Sequence, residues 1–322
     1  MIKLMRIVFM GTPEFAVESL KILVENNYEI AAVITVPDKP AGRGQQIQES
    51  PVKKYAVEKG LRILQPASLK DEQFLDELKQ INPDLQVVVA FRMLPEAVWS
   101  LPTKGTFNLH ASLLPQYRGA APINHAIING EERTGVTTFF LDKEIDTGKI
   151  ISVDYEDISE TDTAGEVHDR LMLKGARLVL KTVRDIETGA FETIDQSAFI
   201  ADPELLKKAP KIFKEDCKIS WTKDVDDINN LIRGLSPYPC AWSEFITPDR
   251  EIVSFKIYKS EKIQGRHRSE PGSILTDNKT HLYITGDGGL ISVTEIQTAG
   301  KKRMSIGEFL RGSKINESWK CI

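Results

Sequence analysis

A short segment in the first third of the chain, residues 85–91, is almost entirely apolar and reads LQVVVAF. A strand needs a continuous apolar run of this kind only when both of its faces are covered, as in the centre of a parallel sheet. The segment is far too short to cross a bilayer, which takes about 20 apolar residues, and no other apolar run of the chain approaches that length. We therefore expect a sheet with helices on both faces.

Strand-like and helix-like segments alternate on both sides of this run. Residues 6–10 form a strand-like segment that ends at Gly11, and Thr12 with Pro13 then supplies the capping residue and first-turn proline typical of a helix. Further strand-like segments lie at 30–36, 106–110, 136–141 and 150–155, and a long amphipathic helix is indicated at 162–186. The alternation predicts an α/β fold with a Rossmann-like parallel sheet.

The pattern changes after about residue 190. Residues 191–210 are polar and contain lysines, and short alternating strands separated by turns follow them. We therefore predict an N-terminal α/β domain over 1–190, a linker over 191–210, and a smaller C-terminal domain over 211–322 that is an antiparallel β-barrel or sandwich.

The charges and cysteines restrict the function. The net charge of −4 argues against a protein that coats nucleic acid, but residues 201–322 hold 20 basic and 17 acidic side chains. That excess is compatible with localised phosphate contact, and equally with an ordinary solvated surface. The three cysteines are widely spaced and the five histidines are scattered, which argues against a disulfide framework and a metal site. We expect a cytoplasmic protein without a metal.

The densest group of chemically useful side chains lies in residues 108–115, which read NLHASLLP. In a strand, Asn108 and His110 project from the same face, and carboxyl ends of parallel strands are where open α/β sheets bind ligands. The turn after segment 136–141 contains Asp142 and Asp146 and could bring a carboxylate to the same edge. An amide, an imidazole and a carboxylate together suit acyl transfer to an amine.

Each of these residues also has an ordinary explanation. A single histidine near a strand end is more often a hydrogen-bonded structural residue than a catalyst, and an aspartate before Thr147 and Gly148 is more often a turn former. The functional interpretation therefore depends on the combination.

Sequence motifs along nearly the whole chain support that combination. They are FMGTPEF at 9–15, PDKPAGRG at 37–44, FNLHASLLP at 107–115, YRGAAP at 117–122, IDTG at 145–148, LIRGL at 231–235 and GKKRM at 300–304. In order and spacing the chain resembles the formyltransferase family that uses 10-formyltetrahydrofolate, and within it the branch that acts on methionyl-tRNA.

The resemblance implies roles for individual residues. The catalytic trio would be Asn108, His110 and Asp146. The residues around the folate would be the turn Ser112, Leu113, Leu114 and Pro115, the backbone of Arg92, Met93 and Leu94, and the turn around Asp142. Arg43 would lie in a loop that wedges into the acceptor stem of the tRNA, and the C-terminal domain would resemble an oligonucleotide-binding (OB-like) β-barrel that also touches the tRNA. Among the basic residues of that domain, the cluster Lys301, Lys302 and Arg303 has the best claim to contact tRNA phosphates.

The chain departs from the pattern of this branch at two places. Gln45 and Gln46 stand where many relatives have lysines, which leaves Arg43 as the main cation of its loop. After the central strand this chain has Ala90-Phe91-Arg92, where many relatives have Ala-Tyr-Gly. The version in this chain is closer to that of glycinamide ribonucleotide formyltransferase.

The resemblance implies a monomeric enzyme that moves the formyl group of 10-formyltetrahydrofolate to the α-amino group of methionine on initiator tRNA. In the expected mechanism the amine attacks the formyl carbon directly, Asn108 and His110 stabilise the oxyanion, and Asp146 assists proton transfer. The nearest alternative is a formyltransferase that acts on a nucleotide-linked amino sugar. Two others are an RNA-binding protein on the same fold and a nicotinamide dehydrogenase, although Gly11-Thr12-Pro13 lacks the GxGxxG pattern.

Overall fold

The first half of the chain forms a seven-stranded sheet in a computed structural model that describes residues 5–41, 46–265, 267–313 and 315–322. The strands of the chain are β1 (Arg6–Gly11), β2 (Glu29–Ile34), β3 (Lys39–Ala41), β4 (Gln46–Gln48), β5 (Ile63–Leu64), β6 (Leu85–Val89), β7 (Thr106–His110), β8 (Arg118–Gly119), β9 (Arg133–Phe140), β10 (Ile150–Asp157), β11 (Lys208–Ala209), β12 (Ala241–Ile246), β13 (Ile252–Gln264), β14 (Ile274–Thr276), β15 (Leu282–Gly286), β16 (Gly289–Thr298), β17 (Met304–Ser305) and β18 (Lys320–Cys321). The α-helices are α1 (Glu14–Glu25), α2 (Pro51–Glu58), α3 (Glu72–Ile81), α4 (Glu96–Trp99), α5 (Pro122–Ile128), α6 (Ala164–Thr188), α7 (Val225–Leu235) and α8 (Ile306–Gly312).

The sheet confirms the predicted α/β fold, with one strand in an unexpected direction. Its order is β10-β9-β7-β6-β1-β2-β5, and β6, which is buried along its whole length, pairs in parallel with β1 and β7. Strand β9 runs antiparallel to β7. The sheet is therefore mixed, with parallel and antiparallel pairs.

The first turn of the sheet is tightly packed, as the Gly-Thr-Pro sequence suggests. Gly11 ends β1, and a Cβ atom there would lie 2.7 Å from Cβ of Ala16 in helix α1. Helix α1 buries Phe15, Leu20 and Leu23 at helical spacing, so its apolar stripe faces the protein interior.

The second half of the chain confirms the predicted barrel. Strands β14-β15-β16-β13-β12-β18 form a sheet whose neighbours pair antiparallel. Its core contains Phe245 and Phe255, whose stacked rings have centroids 3.8 Å apart, and the buried indole of Trp221 donates a hydrogen bond to Ser243 Oγ at 2.9 Å. These aromatic residues belong to the apolar core of the barrel.

The chain divides by its contacts into two compact units. The first comprises residues 1–119, 134–156 and 168–208, and the second comprises 120–133, 157–167 and 209–322. Helix α5 thus belongs with the barrel, where Asn124 Nδ2 donates to the carbonyl oxygen of Gly234 at 2.8 Å. Among the described residues, no helix combines the length and apolarity that crossing a membrane requires.

Candidate active site

Asn108 and His110 lie at the carboxyl end of β7, two residues apart and therefore on one face of the sheet. The amide oxygen of Asn108 is buried and has no hydrogen-bond partner among the described residues. Leaving such a group unpaired costs about 1–3 kcal/mol, so a buried unpaired oxygen calls for an explanation such as a ligand. The Asn108 amide oxygen is therefore available to accept a hydrogen bond from a ligand.

The imidazole of His110 is almost completely buried and is held by the backbone. Its Nε2 atom lies 2.9 Å from the carbonyl oxygen of Tyr117. A carbonyl only accepts hydrogen bonds, so Nε2 must carry a proton, and this assigns the tautomer of the neutral ring. The other nitrogen, Nδ1, faces Asp146 Oδ2 at 3.9 Å, and it is the nitrogen left for proton exchange.

Asp146 reaches His110 by a different route from the one the sequence suggests. Because β9 is antiparallel to β7, its carboxyl end lies beside the amino end of β7, where Leu141 N donates to Thr106 O at 2.8 Å. The following turn, residues 142–148, then folds back toward the other end of β7. The structure therefore brings the predicted imidazole and carboxylate together through a returning turn and not through a parallel strand end.

The backbone of the turn and a nearby strand fix the Asp146 carboxylate. Gly119 N donates to Asp146 Oδ2 at 3.0 Å. Within the turn, Asp142 Oδ1 accepts hydrogen bonds from Glu144 N at 3.0 Å and from Thr147 Oγ1 at 2.7 Å. Asp142 thus shapes the turn with its own side chain, as an aspartate in a turn usually does.

Gln196 is a site residue that sequence reasoning missed. Its Nε2 donates to the carbonyl oxygens of Asp146 at 2.9 Å and Gly148 at 2.8 Å, and the residue is only 2% exposed. A single glutamine in a polar segment has no sequence pattern that marks it, so only the coordinates reveal this contact.

The turn formed by residues 112–115 is rigidly held beside β7. Ser112 Oγ donates to Gln116 O at 2.7 Å, Thr137 Oγ1 donates to Ser112 O at 2.7 Å, and Leu114 N donates to Thr137 Oγ1 at 3.3 Å. Leu114 and Pro115 are buried, and Leu113 is partly exposed. The turn therefore presents a preformed surface to a ligand.

In residues 92–94, which follow β6, the side chains of the first and third residues contact the protein, whereas that of the middle residue is exposed to solvent. The Arg92 guanidinium donates to Pro66 O at 2.5 Å and Ala67 O at 3.0 Å, and burial lowers its pKa. Leu94 is buried in an apolar cluster that includes Leu141, whereas Met93 is 76% exposed. Because the side chains of Arg92 and Leu94 already contact other parts of the protein, the backbone N–H and C=O groups of this segment are the groups left to bind a ligand.

The barrel unit carries a second candidate site, a groove of about 640 Å³. It is lined by the aromatic residues Phe213, Tyr238 and Trp242 and by Lys214 and Lys256. Tyr238 is 82% exposed, and the ammonium groups of Lys214 and Lys218 lie 5.6 and 5.2 Å from the centre of the Trp242 ring. Exposed aromatic rings beside lysines suit a ligand with flat rings and negative charge.

The predicted tRNA-contact residues have unequal environments. Lys301 and Lys302 are exposed and follow Gly300, which borders the groove defined above. Arg303 is already paired: its Nε donates to Glu295 Oε2 at 2.6 Å and its guanidinium lies 4.5 Å from the centre of the Tyr258 ring. Arg43 lies outside the described residues.

Comparison with known proteins decides the family. The sequence model of the family described as "Formyl transferase" matches residues 5–183, and that described as "Formyl transferase, C-terminal domain" matches residues 211–314. Methionyl-tRNA formyltransferase of Bacteroides thetaiotaomicron is 53% identical over 316 residues, covering 98% of each chain. That of Parabacteroides distasonis is 55% identical over 311 residues, covering 96% of each chain.

The chain belongs to the methionyl-tRNA formyltransferase family. The resemblance read from the motifs is thereby confirmed. A solved N-formyltransferase from Helicobacter canadensis, in complex with folinic acid and dTDP-3-aminofucose, is more distant at 22% identity, with a TM-score of 0.61 over 90% of this chain and 99% of that one. At this identity the likeness extends to the fold alone.

The geometry at β7 predicts the effect of removing either side chain. We expect Asn108→Ala and His110→Ala each to lower kcat for formyl transfer by about 100- to 1,000-fold, because each removes a donor that the expected mechanism uses to stabilise the oxyanion. His168→Ala, at a half-buried histidine of the same unit with an exposed aspartate partner, is the control and should retain full turnover. Steady-state kinetics of the three variants would contradict the assignment if Asn108→Ala and His110→Ala both turned over at normal rates.

Proposed function

We propose that this chain transfers the formyl group of 10-formyltetrahydrofolate to the α-amino group of methionine on initiator tRNA. The observation that carries the proposal is the placement of Asn108, whose buried amide oxygen is unpaired, on one strand face with the imidazole of His110, and of the Asp146 carboxylate 3.9 Å from that imidazole. The names of relatives that match at 53% and 55% identity over nearly the full length support the choice of substrate.

The tautomer of His110 sets its role in the proposed mechanism. Since Nε2–H is committed to Tyr117 O, only Nδ1 can face the reacting carbon. Asp146 Oδ2 lies 3.9 Å from this nitrogen, within reach of a proton held there. The Nδ2–H group of Asn108 and an Nδ1–H group of His110 would both donate to the oxyanion that forms when the amine attacks.

Proton movement completes the reaction. The new carbon–nitrogen bond forms to the amine, and the bond to N10 of the folate breaks. Asp146, directly or through a water, accepts the proton that the amine loses, and this proton returns to N10 as it leaves. No side chain acts as a nucleophile in this scheme, because the amine attacks the formyl carbon directly. A covalent enzyme intermediate is therefore not needed.

For the folate, we propose the backbone of Arg92, Met93 and Leu94, the turn of Ser112, Leu113, Leu114 and Pro115, and the turn around Asp142. The side chains of Arg92 and Asp142 are used within the protein, and this leaves backbone donors and acceptors for the polar edge of a pterin. The buried Leu94 and Leu141, which share one apolar cluster, would support its flat face.

For the tRNA, we propose the groove of the barrel unit together with Lys301 and Lys302. Unpaired bases stack on exposed aromatic rings such as Tyr238, and lysines neutralise the adjoining phosphates. Arg303 contributes less, because Glu295 already balances its charge. The contact between Arg43 and the acceptor stem stays a prediction.

We also propose a monomer that works in the cytoplasm, where its tRNA substrate is made and used. Within it, residues 1–190 would form the catalytic domain, 191–210 the linker and 211–322 the tRNA-binding barrel domain.

A single assay tests the reaction and its nearest alternative. The purified chain would be incubated with 10-formyltetrahydrofolate and either methionyl initiator tRNA or a nucleotide-linked amino sugar, and products would be identified by mass spectrometry. We expect formylmethionine on the tRNA and no formylated sugar. A formylated sugar without formylmethionine would replace the proposed substrate with the sugar.

The barrel contacts predict a change in the salt dependence of binding. Each lost phosphate contact lowers the slope of log affinity against log salt by about one unit, so Lys301→Gln with Lys302→Gln should lower it by about two. Tyr238→Ala should weaken binding by about 1–3 kcal/mol with an unchanged slope, because a stacked ring carries no charge. Lys279→Gln, at an exposed lysine of the same unit, is the control, and a slope that the double variant leaves unaltered would remove the two lysines from the interface.

A further inference from the structure

The catalytic carboxylate lies on strained backbone. Asp146 has φ of +56°, in the left-handed region, which costs a residue with a side chain about 1 kcal/mol or more. Gly148, two residues on, is pressed against the chain, since a Cβ atom there would lie 1.7 Å from Phe140 O. The hydrogen bonds of Asp142 inside the turn reach Glu144 and Thr147, so contacts from outside the turn are needed beside them to hold Asp146 itself.

The side chain of Gln196 supplies those contacts, and both its amide nitrogen and its amide oxygen are hydrogen-bonded. Its two N–H groups donate to Asp146 O at 2.9 Å and Gly148 O at 2.8 Å. Its oxygen accepts from Arg118 Nε at 3.1 Å and Nη2 at 2.6 Å. Carbonyls only accept and a guanidinium only donates, so the orientation of the Gln196 amide is fixed by its partners.

The same contacts form a closed ring around the carboxylate. Arg118, held by Gln196, is followed directly by Gly119, whose N–H donates to Asp146 Oδ2 at 3.0 Å. The backbone of Asp146 is thus fixed from one side through Gln196, and its side chain is fixed from the other through Gly119. A displacement of Gln196 would disturb both ends of the ring at once.

We propose that Gln196 is a positioning residue for Asp146 in the proposed formyl transfer, on which this inference rests. It holds the carboxylate at the distance from His110 Nδ1 that proton exchange needs. Gln196 begins a short 3₁₀ helix, Gln196–Phe199, that Asp195 caps by accepting from Ser197 N at 2.9 Å. It lies beyond residues 5–183, which the N-terminal family model matches, so the segment assigned to a linker takes part in the active site.

A double-mutant cycle separates positioning from general support of the fold. A displacement of about 1 Å can cost about 100-fold in rate, so we expect Gln196→Ala to lower kcat by about 10- to 100-fold, with KM for folate and tRNA changed less than about threefold. In an Asp146→Ala background the same substitution should change kcat less than about twofold, because the group that Gln196 positions is gone. An equal loss in both backgrounds, or no loss in either, would overturn the proposal.

Two matched variants sharpen this test. Gln196→Glu has the same shape and still pairs with Arg118, but it places an oxygen against two carbonyls. We expect it to lose as much kcat as Gln196→Ala, and full activity of Gln196→Glu would show that the two donated hydrogen bonds are dispensable. Ser197→Ala, at the exposed neighbouring position, should leave kcat unchanged.

Hydrogen exchange gives a measure that does not depend on activity. The Gly119 amide is protected by the Asp146 carboxylate, so its exchange in the full chain without substrates should be about tenfold faster in Gln196→Ala than in the parent, with little change in Ser197→Ala. Unchanged protection of Gly119 would overturn the positioning role. Faster exchange in a chain that transfers no formyl group would instead keep the positioning role and reject the proposed function.

Discussion

The hydrogen bond between His110 Nε2 and the carbonyl oxygen of Tyr117 is the interaction on which the rest of the site depends. It assigns the tautomer, turns Nδ1 toward Asp146 and prevents the ring from presenting its other nitrogen. It therefore leaves Nδ1, which lies 3.9 Å from the Asp146 carboxylate, as the ring nitrogen available to a ligand. One backbone acceptor thus decides which chemistry the imidazole performs.

The backbone around this hydrogen bond is unusual in two places. Tyr117 and Asp146 both have positive φ, at +60° and +56°, and neither is a glycine. Such conformations persist only where surrounding contacts over-determine them, and here the contacts are Lys207 O, which accepts from Tyr117 N at 2.7 Å, and Gln196 at Asp146. The unpaired Asn108 oxygen adds a further cost. Stability is lower around these three residues because the site is arranged before its substrates arrive.

The sequence predicted those parts of the fold that follow from local burial and periodicity. The apolar run of β6 predicted a central buried strand, and the spacing of Asn108 and His110 predicted a shared face. It did not predict the direction of β9, since strand periodicity is the same in parallel and antiparallel pairs. It also missed Gln196, whose partners Asp146 and Gly148 lie about 50 positions earlier, because contacts between residues far apart in the chain leave no mark on local sequence pattern.

The two candidate sites differ in the burial of their residues, and this difference suits the substrates proposed for them. The formyl carbon must be held to a fraction of an ångström, and the candidate site proposed for it consists of buried groups whose positions are fixed, such as His110 and Gln196. A tRNA offers many phosphates and bases over a wide surface, so exposed residues such as Tyr238, Lys301 and Lys302 suffice, and each contributes little alone. Substitutions in the first site should therefore act on turnover, and substitutions in the second on affinity and its response to salt.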